Sequence, residues 1–374
     1  MLFNYIELRR YFHMHPELSF EENDTADKIK TVLKALDIPY SDKIAKTGIM
    51  ATLNGSSASG KTVVIRADMD ALPIKETNDC DYKSLNDGIM HACGHDVHIA
   101  TVLCAAEKLM QKREHLKGCV KFLFQPGEET TGGALPMIEA GILENPKADI
   151  CVGFHVKPEL DTGKIICKPG KLMASPDEFH VTLRGNGGHC AYPTQNDDLL
   201  KIGAELLLQL KSLSYPDAIV VPCVITAGSA YNVMPSELNL SGSFRTFDSK
   251  TRNDIAEQIK KMTEAISKKY SIESICDILL SYPPLHNDIK STMILQKSAS
   301  KLLGPDNVIT DFEPCMLGED FAYFGQYVPA VYFYLGTKIE NKQTVLHADN
   351  FDVDESAIEI GANVLEQFVL DYLK

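Results

Sequence analysis

The chain has 374 residues, of which 44% are hydrophobic, and a formal net charge of −14 at pH 7. That length predicts two domains with ample apolar cores. A nucleic acid or an anionic membrane surface needs a basic face on its partner, so the acidic balance argues against both partners. No apolar run approaches membrane-spanning length, and ten scattered cysteines with no signal peptide at the start predict reduced thiols in the cytoplasm.

The amino-terminal part predicts helix over residues 2–36, interrupted at His15 because the following proline disfavours helix at that residue. The apolar strand Thr62–Ile65 then leads to Asp68 and Asp70. Two aspartates that are two residues apart at a strand end share one face. From the residues alone they could bind a metal ion, orient a ligand histidine or simply terminate the strand.

The next loop concentrates groups that can bind metal or a proton: Cys93, His95, Asp96 and His98. Gly94 allows a tight turn, so a thiolate and an imidazole two residues apart can reach one ion. A helical pattern begins directly after this loop. The ordinary alternative is a buried cysteine beside polar residues that cap the helix.

Two further apolar strands, 119–124 and 148–154, also end in such groups. The first is followed by Glu128 and Glu129, two carboxylates that repel each other unless a cation compensates them. One could bind metal while the other accepts a proton from water. The second strand delivers His155. Because ligands bind at the carboxyl ends of strands in open α/β sheets, we expect one site built from these strand ends.

The pattern changes near residue 176, where a β-α-β-β-α-β order begins that is typical of a ferredoxin-like insert. The first pattern then resumes and closes with an amphipathic helix. We therefore predict an α/β catalytic domain of residues 1–176 and 287–374, with a central mixed sheet flanked by helices. An α+β insert of residues 177–286 interrupts it.

Eight segments, in order, carry a resemblance to a known family: His15-Pro16-Glu17-Leu18, Arg66-Ala67-Asp68-Met69-Asp70-Ala71-Leu72-Pro73, His91-Ala92-Cys93-Gly94-His95-Asp96, Gln125-Pro126-Gly127-Glu128-Glu129, Gly187-Gly188-His189, Asn232-Val233-Met234-Pro235, Gly318-Glu319-Asp320-Phe321 and His347. Nearly the whole chain resembles the metal-dependent amidohydrolases that cleave N-acyl amino acids, within the dinuclear metallopeptidase superfamily. Hippurate hydrolase, aminoacylase, auxin-conjugate hydrolase and N-acetyldiaminopimelate deacetylase are of this type. One departure is Gly127, which stands where alanine is usual.

The resemblance implies a zinc-peptidase-like catalytic domain that holds two divalent metal ions per subunit, which would be zinc, manganese, cobalt or nickel. The implied metal ligands are Cys93 as a bridging thiolate, His95, Glu129, His155 and His347. Glu128 is the implied general base, and Asp70 is expected to orient a ligand histidine. The insert is expected to act as a lid and to form a homodimer, and its His189 is expected to stabilise the oxyanion in its own or the neighbouring subunit.

The expected reaction is hydrolysis of an N-acyl amino acid, for example an N-acetyl or N-benzoyl one, to a carboxylic acid and a free amino acid. The substrate keeps an α-carboxylate, for which Asn232 and Arg245 are candidate partners, since a guanidinium grips a carboxylate with two hydrogen bonds. Arg245 as a surface residue or internal salt-bridge partner is the alternative. N-acetyldiaminopimelate deacetylation, dipeptide hydrolysis and a catalytically inactive metal-binding module also stay open, although the spare base Glu128 argues against the last.

Overall fold

The computed structural model describes residues 1–57, 60–193 and 197–374. The chain forms two units, and the second interrupts the first. The first unit consists of Met1–Gly170, His286–Glu313 and Asp320–Lys374, and the second of Lys171–Leu285 and Pro314–Glu319. Within the described residues, no helix combines the length and the apolar character that crossing a membrane requires.

The elements are numbered in chain order. The helices are α1 (Tyr5–Met14), α2 (Asn23–Ala35), α3 (His95–Gln111), α4 (Ala134–Glu139), α5 (Leu199–Lys211), α6 (Ser249–Tyr270), α7 (Ile289–Leu303) and α8 (Ala357–Tyr372). The strands are β1 (Tyr40–Ile44), β2 (Gly48–Asn54), β3 (Lys61–Asp68), β4 (Gly118–Gln125), β5 (Ile150–Asp161), β6 (Ile165–Ile166), β7 (Gly170–Met173), β8 (Ser175–Arg184), β9 (Gly188–His189), β10 (Ala218–Ala227), β11 (Val233–Met234), β12 (Glu237–Thr246), β13 (Glu273–Leu279), β14 (Leu285–Asn287), β15 (Val308–Ile309) and β16 (Ala330–Lys338). A short 3-10 helix spans Asp320–Gln326.

One mixed sheet of eight strands, ordered β1-β2-β4-β3-β5-β16-β6-β15, forms the centre of the first unit. Strand β3 runs parallel to both β4 and β5, and β5 runs parallel to β16. The carboxyl ends of these four strands therefore meet at one edge of the sheet. Strand β4 is buried along its whole length, as expected for a parallel strand covered on both faces.

Helices cover the sheet on its two faces. Helix α3 packs against α1, α8 and β3, whereas the 3-10 helix packs against α4, β5 and β16. Successive residues of β5 point their side chains to opposite faces of the sheet. The ring of Phe154 lies 4.9 Å from the ring of His98 on α3. A Cβ atom on Gly153 would meet Phe321 of the 3-10 helix at 2.7 Å. The predicted α/β class with a helix-flanked mixed sheet is confirmed.

The second unit has its own sheet and its own core. Its four antiparallel strands are ordered β10-β12-β8-β13. Numbered within the unit this is 2-3-1-4, the order of a ferredoxin-like β-α-β-β-α-β motif. Helices α5 and α6 bury Leu206 and Ile259 against Phe179, Leu240 and Phe244 of the sheet.

Candidate metal centre

Cys93 lies in the loop that leads into α3, and its side chain is buried. Gly94 follows with φ of +84°, a conformation that favours glycine. A Cβ atom on Gly94 would also meet Cγ2 of Val156 at 2.5 Å. The glycine therefore allows the turn that places Cys93 and His95, the first residue of α3, at the same carboxyl edge of the sheet.

Donor atoms of five residues, which come from four segments of the first unit, lie close together around the Cys93 sulfur. Two triads share it, Cys93–His95–His155 and Cys93–Glu129–His347, and within each triad the donor atoms lie within 4.8 Å of one another. The sulfur is 3.2 Å from Nε2 of His155 and 3.3 Å from Nε2 of His347. Bonds of about 2.3 Å to sulfur and about 2.0 Å to nitrogen put the ligands of a tetrahedral zinc ion roughly 3.5 Å apart. The spacing therefore suits ligands that share a metal ion.

Backbone carbonyls fix the protonation of two of the imidazoles. Nδ1 of His95 lies 2.8 Å from the carbonyl oxygen of Asp70, and Nδ1 of His155 lies 2.7 Å from that of Val156. A carbonyl oxygen can only accept, so each Nδ1 carries a proton and donates it. This leaves the Nε2 of both rings to face the Cys93 sulfur as possible metal ligands.

Asp70 holds the other side of the centre together. Its carboxylate accepts hydrogen bonds from the backbone N–H of Glu128 at 3.1 Å and of Glu129 at 3.0 Å, and it lies 3.3 Å from Nδ1 of His95. The turn before the glutamates needs Gly127, because φ there is +67° and a Cβ atom would meet the ring of Phe20 at 2.4 Å. The departure from alanine seen in the sequence thus has a steric cause.

The centre carries an excess of buried negative charge. Burial lowers the pKa of His95, but Asp68, Asp70 and Glu129 outweigh it and raise that pKa to about 10. Burial, followed by Glu129 and Glu128, raises the pKa of the Cys93 thiol well above its usual value. Both groups therefore hold protons when no metal is present. A cation would relieve the same excess charge and take the place of those protons.

Two orphaned atoms show that the residues fit a metal ion. Nε2 of His95 and Oε1 of Glu129 are buried and make no hydrogen bond to the described residues, although they lie 3.8 Å apart. Buried polar atoms are rarely left without a partner. A divalent cation bound at each of these atoms would satisfy both, and thiolate, imidazole and carboxylate together suit first-row divalent metals.

The other polar residues of the motif have different partners. Asp96 forms an ion pair with Arg9, whose Nε lies 2.8 Å away, and accepts a hydrogen bond from Nδ1 of His13 at 2.7 Å, with all three side chains buried. Nδ1 of His15 lies 2.8 Å from the Tyr11 carbonyl oxygen. His13 is thus a buried ion-pair partner of Asp96, and His15 caps the carboxyl end of α1.

The remaining predicted site residues lie in the second unit. His189 is exposed on β9, which pairs with β11, and its Nδ1 accepts from the backbone N–H of Ala191 at 3.1 Å. Its Nε2 then carries the proton of the neutral ring. Asn232 directly precedes β11, and its carbonyl oxygen accepts from the N–H of Cys190. Arg245, half-buried on β12, donates from Nη1 to the Met316 carbonyl oxygen at 2.9 Å.

Sequence reasoning did not identify a second carboxylate–histidine pair. Asp68 lies 2.5 Å from Nδ1 of His98, and Arg66 donates to the other oxygen of Asp68 at 2.7 Å. The spacing of these residues in the sequence was the signal that could have identified the pair. Asp68 shares a strand face with Asp70, and His98 lies one helical turn after His95.

Comparison with known proteins agrees with this arrangement. The profile described as Peptidase family M20/M25/M40 matches residues 64–371. An N-acetyl-L-cysteine deacetylase of Bacillus subtilis is 37% identical, with the alignment covering 94% of this chain and 84% of the relative. A thermostable carboxypeptidase of Saccharolobus solfataricus is 32% identical over 96% of this chain and 92% of the relative.

A solved structure extends the similarity to the fold. A Bacillus subtilis protein described as a dinuclear metal binding peptidase from the M20 family matches with a TM-score of 0.87 and 32% identity, covering 98% of this chain and 96% of that one. The profile match spans most of the chain, and full-length relatives exceed 30% identity. The chain belongs to peptidase family M20/M25/M40.

Proposed function

We propose that this protein is a metal-dependent amidohydrolase that cleaves N-acyl amino acids to a carboxylic acid and a free amino acid. The observation that carries the proposal is the shared sulfur of Cys93 between two donor triads, with the buried carboxyl group of Glu128 beside them. A purely structural site would have no use for that additional carboxylate.

We assign the ligands of two divalent ions from the two triads. Cys93 would be shared by both ions, His95 and His155 would hold one of them, and Glu129 and His347 would hold the other. Zinc, manganese, cobalt and nickel all remain candidates, since the donor set mixes soft and hard ligands. When bound, such a pair of ions supplies Lewis-acid chemistry and a water whose pKa is low enough for attack near neutral pH.

The protein groups then act on protons and orientation. Glu128 accepts the proton of the attacking water and returns it to the leaving amine nitrogen. Asp70 holds the backbone of Glu128 and the ring of His95 in place. The Nε2–H of His189 donates a hydrogen bond to the developing oxyanion, in its own subunit or a neighbouring one, and keeps its proton. No step requires a residue to form a covalent bond with the substrate.

Substrate class follows from the relatives and from the second unit. Deacetylases of N-acetyl-cysteine are among the most similar proteins, so a small N-acyl amino acid is the proposed substrate. We assign recognition of its α-carboxylate to Asn232 and Arg245. A carboxypeptidase activity is the second candidate, because a relative carries that name and a peptide carboxyl terminus offers the same charged group.

The second unit is also the proposed site of dimerisation. Strand β10 lies at an edge of its sheet and exposes four apolar side chains, Ile219, Val221, Val224 and Ile225. An unpaired edge with an apolar surface is a ready template for a second copy.

All ten cysteines are free thiols, which suits a reducing compartment such as the cytoplasm.

The test is a hydrolysis screen on protein stripped of metal and reloaded in turn with zinc, manganese, cobalt or nickel. Substrates would be N-acetyl, N-benzoyl and longer N-acyl amino acids, N-blocked dipeptides, free dipeptides and N-acetyldiaminopimelate. Glu128→Gln is the matched control. It should keep two ions per chain but lose about 100-fold or more in turnover. Absence of hydrolysis with every metal, or an equally active Glu128→Gln, would refute the proposal.

A further inference from the structure

A chain of buried polar groups lies beside the centre without belonging to either donor triad. Arg66 donates from Nη1 to Asp68, from Nη2 to Asp320 and from Nε to Gln125, at 2.7, 2.7 and 2.9 Å. All four side chains are at most 1% exposed. Such charges are costly to bury unless each is paired and hydrogen-bonded. Arg66 therefore fixes the Asp68 carboxylate in one position.

The other oxygen of Asp68 extends the chain to His98. Nδ1 of His98 lies 2.5 Å from Oδ1 of Asp68, and Nε2 of His98 accepts from the backbone N–H of Val156 at 3.0 Å. A backbone N–H can only donate, so Nε2 has no proton and Nδ1 has one. Both ring nitrogens are engaged. His98 thus has no lone pair left for a metal, although Asp68, His95 and His98 lie close enough together to suggest one.

Val156 connects this chain to a proposed metal ligand. Its N–H is held by His98, and its carbonyl oxygen accepts from Nδ1 of His155 at 2.7 Å. The two imidazole rings also meet edge to face, with centroids 4.8 Å apart. The orientation of the His155 ring therefore depends on a residue whose backbone is fixed by His98.

We propose that Arg66, Asp68 and His98 form a positioning relay that holds His155 toward the Cys93 sulfur and thereby sets the metal affinity of the Cys93–His95–His155 site. This inference rests on the metal ligands assigned above. Its contacts with the assigned ligands are to His155, through Val156, and to His95, whose Nε2 lies 3.6 Å from Asp68 and whose ring stacks on His98. Both ligands belong to the same site, so the Cys93–Glu129–His347 site is insensitive to the Val156 bond. A general loss of stability would lower the affinity of both sites.

Two substitutions at one position separate the two bonds of His98. His98→Asn places an amide near the Nδ1 position, so it keeps a donor for Asp68 and loses the acceptor for Val156. His98→Gln places an amide oxygen near the Nε2 position, so it keeps the acceptor and loses the donor. Thr101→Val is the matched control. It changes a buried group on the same helix whose hydroxyl makes no hydrogen bond to the described residues.

Each site is measured alone by adding a second substitution. In a His347→Ala background, where only the Cys93–His95–His155 site remains, His98→Asn should lower Co²⁺ affinity about 10- to 100-fold by chelator competition, the usual effect of losing such a supporting bond. In a His155→Ala background it should change affinity less than threefold. His98→Gln should lose less than His98→Asn, and Thr101→Val should match its background in both cases.

Equal losses in both backgrounds, or none in either, would overturn the relay. Complete loss of one ion in both His98 variants would make His98 a ligand and also overturn it. Wild-type protein that binds no divalent ion would instead refute the proposed metal centre itself. If the variants do not fold, ¹⁵N-histidine spectra of wild type decide. His98 should keep a neutral ring protonated at Nδ1, with resonances that Zn²⁺ leaves in place, and a metal-induced shift of its Nε2 would overturn the proposal.

Discussion

Asp70→Asn tests how far one buried carboxylate organises the centre. Asp70 is 1% exposed and accepts hydrogen bonds from Ser19 Oγ and from the N–H groups of Glu128 and Glu129. Burial raises the pKa of Asp70, but His95 and then Ser19 outweigh burial, so the pKa is lowered and the side chain is ionised. An asparagine has one acceptor oxygen, and its amide nitrogen must face one of the two backbone N–H donors.

The expected loss of metal affinity follows from this lost hydrogen-bond acceptor. Losing one hydrogen bond to a charged acceptor costs about 1.5–3 kcal/mol, and about 1.4 kcal/mol corresponds to a factor of ten. We therefore expect Asp70→Asn to lower metal affinity about 10- to 150-fold, because Glu129 shifts. Turnover of the reloaded enzyme should fall by at least as much, because Glu128 shifts with it.

The assay is chelator competition on purified variants, followed by turnover with saturating metal. Ser19→Ala is the control. It removes one hydroxyl bond to the same carboxylate but leaves the charge and both backbone bonds, so the two glutamates stay in place and its effect on metal affinity and turnover should be smaller than that of Asp70→Asn. Affinity and turnover within twofold of wild type in Asp70→Asn would refute the argument that this carboxylate organises the centre.

Three more outcomes are expected. Cys93→Ser should bind fewer metal ions by elemental analysis, and a variant that keeps both ions at unchanged affinity would show that the sulfur is not a bridge. Arg245→Ala should raise KM for an N-acyl amino acid far more than for its uncharged amide, whereas equal losses would assign Arg245 to the fold. Burial lowers the pKa of His13, but Asp96 and Glu76 outweigh it and raise that pKa above 6.5. The stability from these contacts is therefore complete below pH 6.5 and is lost as pH rises through the raised pKa. His13→Gln should flatten this fall in the melting temperature of the metal-free protein.

The sequence predicted the parts of the fold that periodicity and strand order control. Buried apolar strands with polar residues at their carboxyl ends predicted a common edge, and Glu129, which follows β4, does meet Cys93 there. His155 also meets Cys93, but it lies within β5 rather than after it, because this strand continues to Asp161 beyond the predicted end at residue 154. The family, the α/β class and hydrolysis of amides by a member of that family are confirmed by the comparisons. The site roles, the domain boundaries and the dimer remain predictions.

Local pattern could not sort ligands from their supports. His95 and His98 lie on the same helix, yet of these two only His95 has an Nε2 that makes no hydrogen bond to the described part of the chain. Asp96 lies three residues after the cysteine but pairs with Arg9, 87 residues earlier in the chain. His347 reaches the Cys93 sulfur from 254 residues away. Such assignments depend on tertiary partners, so only the family resemblance could supply them from the sequence.

Charge balance explains why this centre needs two cations rather than one. Four groups at the centre become anionic when the sulfur is a thiolate, namely Cys93, Glu128, Glu129 and Asp70. Of the neighbouring carboxylates, Asp68 shares Arg66 with Asp320, and Asp96 pairs with Arg9. Two divalent ions would offset the four charges with the imidazoles neutral, as metal binding at Nε2 of His95 and His155 requires. A single ion would leave two uncompensated buried charges, which is costly in a low-dielectric site. The supporting ion pairs thus offset part of the surrounding negative charge, and the excess that stays around the shared sulfur is what two metal ions can satisfy.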